Sequence, residues 1–387
     1  MKTDDRPVRQ TGSGKGTMPR RGANSVSSKP DQFFVKELLG ETPPSYSTME
    51  GLYRLAVKLY ALSPWRVLDE TELVLTRDSA TGETCYCSVM GALGEVLAVH
   101  AYIGTEGYRL FRRVAAGEIA GAGEFYERQH SVYLEFVPRA ELDAQDRKLL
   151  SAMGHPLGAV KASPIFRASR PGFRPWFVTE EEGLLLAECL RAVIVICSAV
   201  STRPGLEYWN LVDTYPMVSQ VDGKEGEPKY RVELVKVTLP SEPPLSPVQL
   251  GEEQLHRLRN RNYAIRGVME LGYFPSAAPI GEKNERKACT RVALAVDADS
   301  GFLFPPELAS PGVSVADALG MAIIKAIETS RTLPREVRVT TRKLKDCLNP
   351  LSEACGFPVK VVGSLPALAE AREGLMRMME GPAFPRI

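Results

Sequence analysis

A chain of 387 residues with 44% hydrophobic and 25% charged residues has the makings of a folded protein of roughly two to three domains, which excludes a fibre or a wholly disordered chain. Its 48 basic and 47 acidic residues leave a formal charge of +1, so no global field drives it toward nucleic acid or a membrane. Seven cysteines (85, 87, 189, 197, 289, 347 and 355) form no C-x-x-C, and no apolar leader opens the chain, which predicts free, buried thiols in a reducing cytoplasm.

Residues 1–46 read as a disordered basic tail, with seven Lys or Arg against Asp4 and Asp5 in the first 30 positions. An α+β domain is predicted over 47–155. Ser47 and Glu50 have capping-box spacing, and Leu52, Leu55, Ala56 and Leu59 follow at helical period as far as Pro64. Strands are expected at 72–76, 83–90 and 95–103, then a helix at 105–116, a strand at 132–137 and a helix at 141–153. The proline-, arginine- and aromatic-rich stretch 156–178 reads as an extended connector at a domain boundary.

An α/β domain is predicted over 179–387. Thr179 and Glu182 cap a long apolar helix, and Glu188 and Arg191 inside the run Leu184–Val200 argue for a buried helix over a membrane span. A hairpin at 215–221 and 230–239 follows, then a linker at 240–247, a short basic helix at 251–262 and a strand at 266–273. From Arg291 the order is strand, tight turn at 298–301, strand at 302–305, helix at 315–330, strand at 336–340, helix at 343–355 interrupted near Pro350, strand at 359–362 and helix at 365–379. Such spacing implies parallel pairing with right-handed crossovers.

The chemistry is sparse. Thr11–Thr17 (TGSGKGT) has the end of a phosphate-binding loop, but Arg9 stands where its first glycine belongs and no strand precedes it. Gly104–Gly107 (GTEG) opens a helix, where backbone N–H groups hold either an anion or simply a turn. The four histidines show no metal-ligand spacing, and Cys85 with Cys87 reads as core; no metal or cofactor is expected. Asp297 and Asp299 are the catalytic candidates, since two-metal phosphoryl transfer needs several carboxylates around cations about 4 Å apart. The alternative for D-A-D-S-G is a hairpin turn. Arg257, Arg259, Arg261 and Arg266 are candidates for phosphate contacts, with Tyr263 and the aromatics of 166–177 for base stacking; the alternative is a solvated helix face and a packed connector.

Two stretches carry a resemblance. LYRLAVKLYALSPW (52–65) with TGETCYCSVMGALGEVLAVHAYIGTEGYRLF (81–111), and RVALAVDADSGFLFPPEL (291–308) with LPREVRVTT (333–341) and SLPALAEA (364–371), resemble an uncharacterised bacterial family of tandem domains of unknown function. The resemblance implies a cytosolic bacterial protein of two modules and supplies no activity or catalytic residue. The element order from Arg291 is also similar to an RNase H-like domain, which implies a catalytic aspartate ending the first strand, at Asp297. Its second acid would end the strand at 336–340, where Thr340, Thr341 and Arg342 stand instead, and Glu370 and Glu373 fall on a solvated helix face. The leading expectation is a non-catalytic binding or scaffolding protein with a protein partner and no membrane. A divergent metal-dependent nuclease or phosphotransferase, and nucleic-acid binding through tail and basic helix, remain the alternatives.

Overall fold

The computed structural model describes residues 41–119, 121–153, 162–202, 208–209, 211–221, 229–249, 263–282 and 285–379, and the isolated positions 251, 253, 256 and 258. The basic tail before residue 41, the loop-like Thr11–Thr17 and Arg257, Arg259 and Arg261 lie outside the described residues. The architecture is mixed α/β, with helices and a sheet in each half.

The first half is built on eight strands in the order β6-β5-β4-β3-β2-β1-β7-β8. These are β1 (Val74–Arg77), β2 (Thr84–Met90), β3 (Leu97–Ile103), β4 (Ser131–Pro138), β5 (Ala162–Ser169), β6 (Trp176–Phe177), β7 (Thr214–Val221) and β8 (Lys229–Lys236). Every pairing is antiparallel except β1 with β7.

Helices α1 (Tyr46–Leu62) and α5 (Glu180–Thr202) cover one face. Leu52, Ala56 and Leu59 of α1 and Leu186, Leu190 and Val193 of α5 meet Val99, Ala101, Val132 and Leu134 of the sheet. Helix α2 (Gly104–Ala115) covers part of the other face, setting Tyr108 and Phe111 on Tyr86, Tyr102 and Met217. Two short helices, α3 (Ala122–Arg128) and α4 (Ala144–Ala152), flank β4. Although α5 is long and apolar enough to span a membrane, most of it is buried inside the protein.

The expected break at 156–178 is not a break between sheets. Residues 162–169 and 176–177 are strands paired in series to β4, and α5 with the β7–β8 hairpin completes the same layer. Proline does keep this stretch extended, but extended chain beside an open strand pairs with it. Pro164 is tolerated because β6 reaches only Arg167 and Ala168 of β5, so the missing N–H faces no neighbour. The sheets divide after β8 instead.

Capping is also partly as expected. Thr179 and Glu182 exchange bonds, with Thr179 N donating to Glu182 Oε2 at 2.9 Å and Glu182 N donating to Thr179 Oγ1 at 3.3 Å. The cap of α1, however, is Ser45 rather than Ser47: its hydroxyl accepts from Thr48 N, and its own N–H donates to Glu180 Oε2 at 2.5 Å. A carboxylate from α5 thus replaces the expected Glu50.

Residues 237–249 lead on from the first sheet and are bonded to both halves. Arg109 Nη2 donates to Pro240 O at 3.0 Å, and Glu242 is bonded by Arg128 at 2.9 Å and Lys343 at 2.6 Å. Val248 N donates to Cys347 O at 2.9 Å, and its Cγ2 would lie 2.5 Å from a Cβ on Gly320.

The second sheet has the order β12-β11-β10-β14-β15, with β10 (Val268–Ile280), β11 (Ala288–Asp297), β12 (Glu307–Ala309), β14 (Glu336–Val339) and β15 (Val359–Val361). The pairings β10–β11 and β11–β12 are antiparallel, and β10–β14 and β14–β15 are parallel. A two-strand ladder, β9 (Ala264–Ile265) with β13 (Thr332–Leu333), extends its end. Helices α6 (Val315–Ser330) and α7 (Arg342–Cys355) bury Leu319, Ile323 and Leu348 against Leu271, Val337 and Val339. The opposite face takes α8 (Pro366–Met379).

Three expectations for this half change. The strand ending at Asp297 is the second of the sheet, because β10 precedes it and occupies the centre. Phe302–Pro305 makes one bridge, Leu303 with Val296, and the third strand is Glu307–Ala309. Helix α7 runs through Pro350 without a break.

Candidate functional site

Asp297 ends β11, as the sequence suggested, but its carboxylate serves its own turn. Oδ1 accepts from Ser300 N at 2.8 Å and from Ser300 Oγ at 2.7 Å, while Gly301 N donates to Asp297 O at 2.8 Å. The other oxygen would lie 2.7 Å from a Cβ on Gly267, whose φ of +68° is itself a glycine conformation. Asp299 is exposed at the tip of the turn.

Register separates this turn from Thr340. Asp297 pairs with Met269 and Met269 with Val337, three residues before Thr340 and two strands away. That is about 10 Å along the strands and about 10 Å across them, too far to share cations. Thr341 caps α7 by accepting from Leu344 N, and Glu370 and Glu373 are exposed on α8. Among the described residues no group of three or more His, Cys, Asp or Glu side chains is placed to hold a metal ion.

The central strand carries a carboxylate that sequence reasoning missed. Glu270 is 2% exposed, and its Oε2 accepts from Leu368 N in the first turn of α8 at 2.8 Å. It supplies, from another element, the anion that a helix N-terminus favours. Gly272, on the same face of β10, makes room for Leu368, which would otherwise meet its Cβ at 2.6 Å. The signal was a single acid inside the apolar run VMELGYF. The GTEG turn is arranged alike: Glu83 Oε1 would lie 2.8 Å from a Cβ on Gly104, so the chain's own carboxylate sits at the start of α2.

The first sheet holds a buried polar knot. His100 Nε2 lies 2.8 Å from Ser131 Oγ, and Gln129 Nε2 donates to Ser131 Oγ at 3.2 Å. The imidazole stacks between Tyr102 and Tyr133, at centroid distances of 4.6 Å and 4.9 Å. Burial holds its pKa down to about 4, so it is neutral at pH 7. A neutral imidazole beside a hydroxyl is how a base meets a nucleophile. Here Ser131, the first residue of the interior strand β4, is 0% exposed, so its hydroxyl is not presented at the surface. Cys85 and Cys87 are core residues joined by a third thiol, Cys189 of α5; contact with Cys189 and then burial push the Cys85 thiol up, away from the reactive thiolate.

Of the arginine candidates, Arg266 is described and exposed. Its N–H donates to Leu333 O, and Arg335 N donates to Gly267 O, both at 2.9 Å. Exposed Arg331, Arg335, Ile265 and Phe302 therefore gather at the same end of the second sheet. Of the connector aromatics, Phe166 and Phe177 are each 3% exposed in the first core and Phe173 and Trp176 are half-buried; Tyr263 packs on the second core.

These features define a protein of two mixed α/β modules in which one candidate catalytic acid, Asp297, is bonded into its own turn and the other, Asp299, is exposed at the tip of that turn. Residues 50–212 match a domain of unknown function, DUF7309, and residues 254–376 match another, DUF6930, so two such matches lie in tandem along the chain. No curated protein matches it.

Proposed function

We propose that the protein is a non-catalytic binding or scaffolding protein of the cytoplasm. The observation that carries this reading is the use made of its carboxylates: Asp297 is bonded into its own turn, and Glu270 is bonded to α8. Seven free cysteines, six of them buried, support a reducing compartment. The test pairs thermal melting in millimolar Mg²⁺ or Mn²⁺ with capture of partners by the full-length chain. No metal shift and a stoichiometric protein partner are expected. A metal-induced rise in Tm that Asp297→Asn removes would instead favour the divergent nuclease or phosphotransferase.

A second reading, nucleic-acid binding, is favoured by Arg266, Arg331 and Arg335. All three are exposed at the end of the second sheet that also carries exposed Phe302. Guanidinium groups suit phosphates, and an aromatic face suits a base. Binding of a labelled single-stranded oligonucleotide that falls steeply with salt, and is lost on Arg→Glu substitution at the three positions, is its expected signature. Salt-independent or unaltered binding rejects it.

A further inference from the structure

Strand β8 is an outer edge of the eight-stranded sheet, and its composition says what fits against it. All eight of its residues pair with β7 in unbroken register, from Lys229↔Val221 to Lys236↔Thr214. It has no bulge and no proline, so it is a straight template whose outward N–H and C=O groups have no strand partner among the described residues. Tyr230 and Val232 line the face shared with α5, and Leu234 follows on that face, 49% exposed. Arg231 and Glu233 occupy the other face and pair with each other.

The sequence Tyr-Arg-Val-Glu-Leu at 230–234 is thus complementary to itself when reversed about Val232. We propose that β8 is a two-fold interface through which a second copy of this chain adds its own β8, antiparallel and centred on Val232. In that register Tyr230 opposes Leu234 and Val232 opposes Val232 on one face. On the other, each Arg231 opposes a Glu233, closing a ring of four alternating charges. Direct cross-strand pairs of this kind are the stabilising unit of a sheet. Neighbouring registers are disfavoured. A centre on residue 231 sets Arg231 against Arg231, and a centre on 233 sets Glu233 against Glu233. A one-residue slip opposes apolar to charged side chains. The interface is isologous and closes at two chains.

The test is the mass of the full-length chain in solution over a concentration series, measured by light scattering and sedimentation. The wild type is expected to move from one chain to two as concentration rises. Arg231→Glu and Glu233→Arg, each at an exposed position, place like charges opposite each other twice and weaken the dimer about tenfold or more. Their melting temperatures should stay near that of the wild type. Mixing the two single variants should give a heterodimer, and the double exchange R231E/E233R should restore the homodimer. A wild type that stays monomeric at every concentration overturns the proposal. So does a dimer indifferent to either reversal, or one that the double exchange fails to restore.

Discussion

The two sheets bury ionisable groups by different routes. In the antiparallel first sheet, side chain meets side chain: Arg167 Nη2 lies 2.5 Å from Asp146 Oδ2, and His100 is held between two tyrosines. In the mixed second sheet, a side chain meets backbone: Glu270 accepts from the first turn of α8. Asp146 reaches Arg167 of β5 from helix α4 and the two tyrosines flank His100 from β3 and β4, whereas the start of α8, the helix after the last strand, lies over the central strand β10. An acid inside a strand is therefore weak evidence for catalysis until its partner is known.

The sharpest way to break the comparison is Asp146→Ala. It strips a nearly buried guanidinium of its main carboxylate and should cost about 3–4 kcal/mol in urea unfolding. A loss below about 1 kcal/mol would mean that the pair adds little to the first sheet. His100 comes next. Its folded pKa is depressed from 6.5 to about 4, so the unfolded chain takes the proton first as pH falls. Its contribution is whole above pH 6.5 and lost down through pH 4, by about 3 kcal/mol. Titration of the ring by NMR should find no midpoint above pH 5, and His100→Phe should flatten that part of the pH–stability curve.

Glu270→Leu probes the other route. Removing a charged acceptor from a helix N-terminus should cost about 2 kcal/mol, with Glu270→Gln losing less because it keeps an acceptor. Equal losses for both would show that charge, rather than acceptance, matters there. The smallest effect belongs to Glu242, which joins the two halves. Lys343 and then Arg128 pull its carboxyl down to about 2 from an ordinary 4.5. Its contribution is present above pH 4.5 and disappears as pH falls through 2. At 40% exposure solvent screens the pair, and Glu242→Ala should cost about 1 kcal/mol or less.

Much of the fold was legible because period and caps are local. The α6 span 315–330 follows from its apolar spacing, and the Thr179–Glu182 box from four residues. Which sheet a segment joins was not legible. The residues of β5 read as connector because proline marks extended chain without saying whether a neighbour is free to pair. The rank of the Asp297 strand was hidden for a related reason: β10 has to be known to be central before β11 can be second. The turn chemistry of D-A-D-S-G was legible in its letters and is what the carboxylate does. Glu270 was hidden because its partner, Leu368 N, lies 98 residues away.

The stretch 237–249 looks like the natural place for a protease to cut, being proline-rich, largely exposed and between two sheets. Cleavage needs a segment that can leave the surface and lie extended in an enzyme's cleft. Here Pro240, Glu242 and Val248 are each anchored, the last in a hollow that only a glycine at 320 leaves open. The tandem should therefore be inherited by a digest as one fragment, and Gly320→Ala, by lifting Val248, should be what turns it into two.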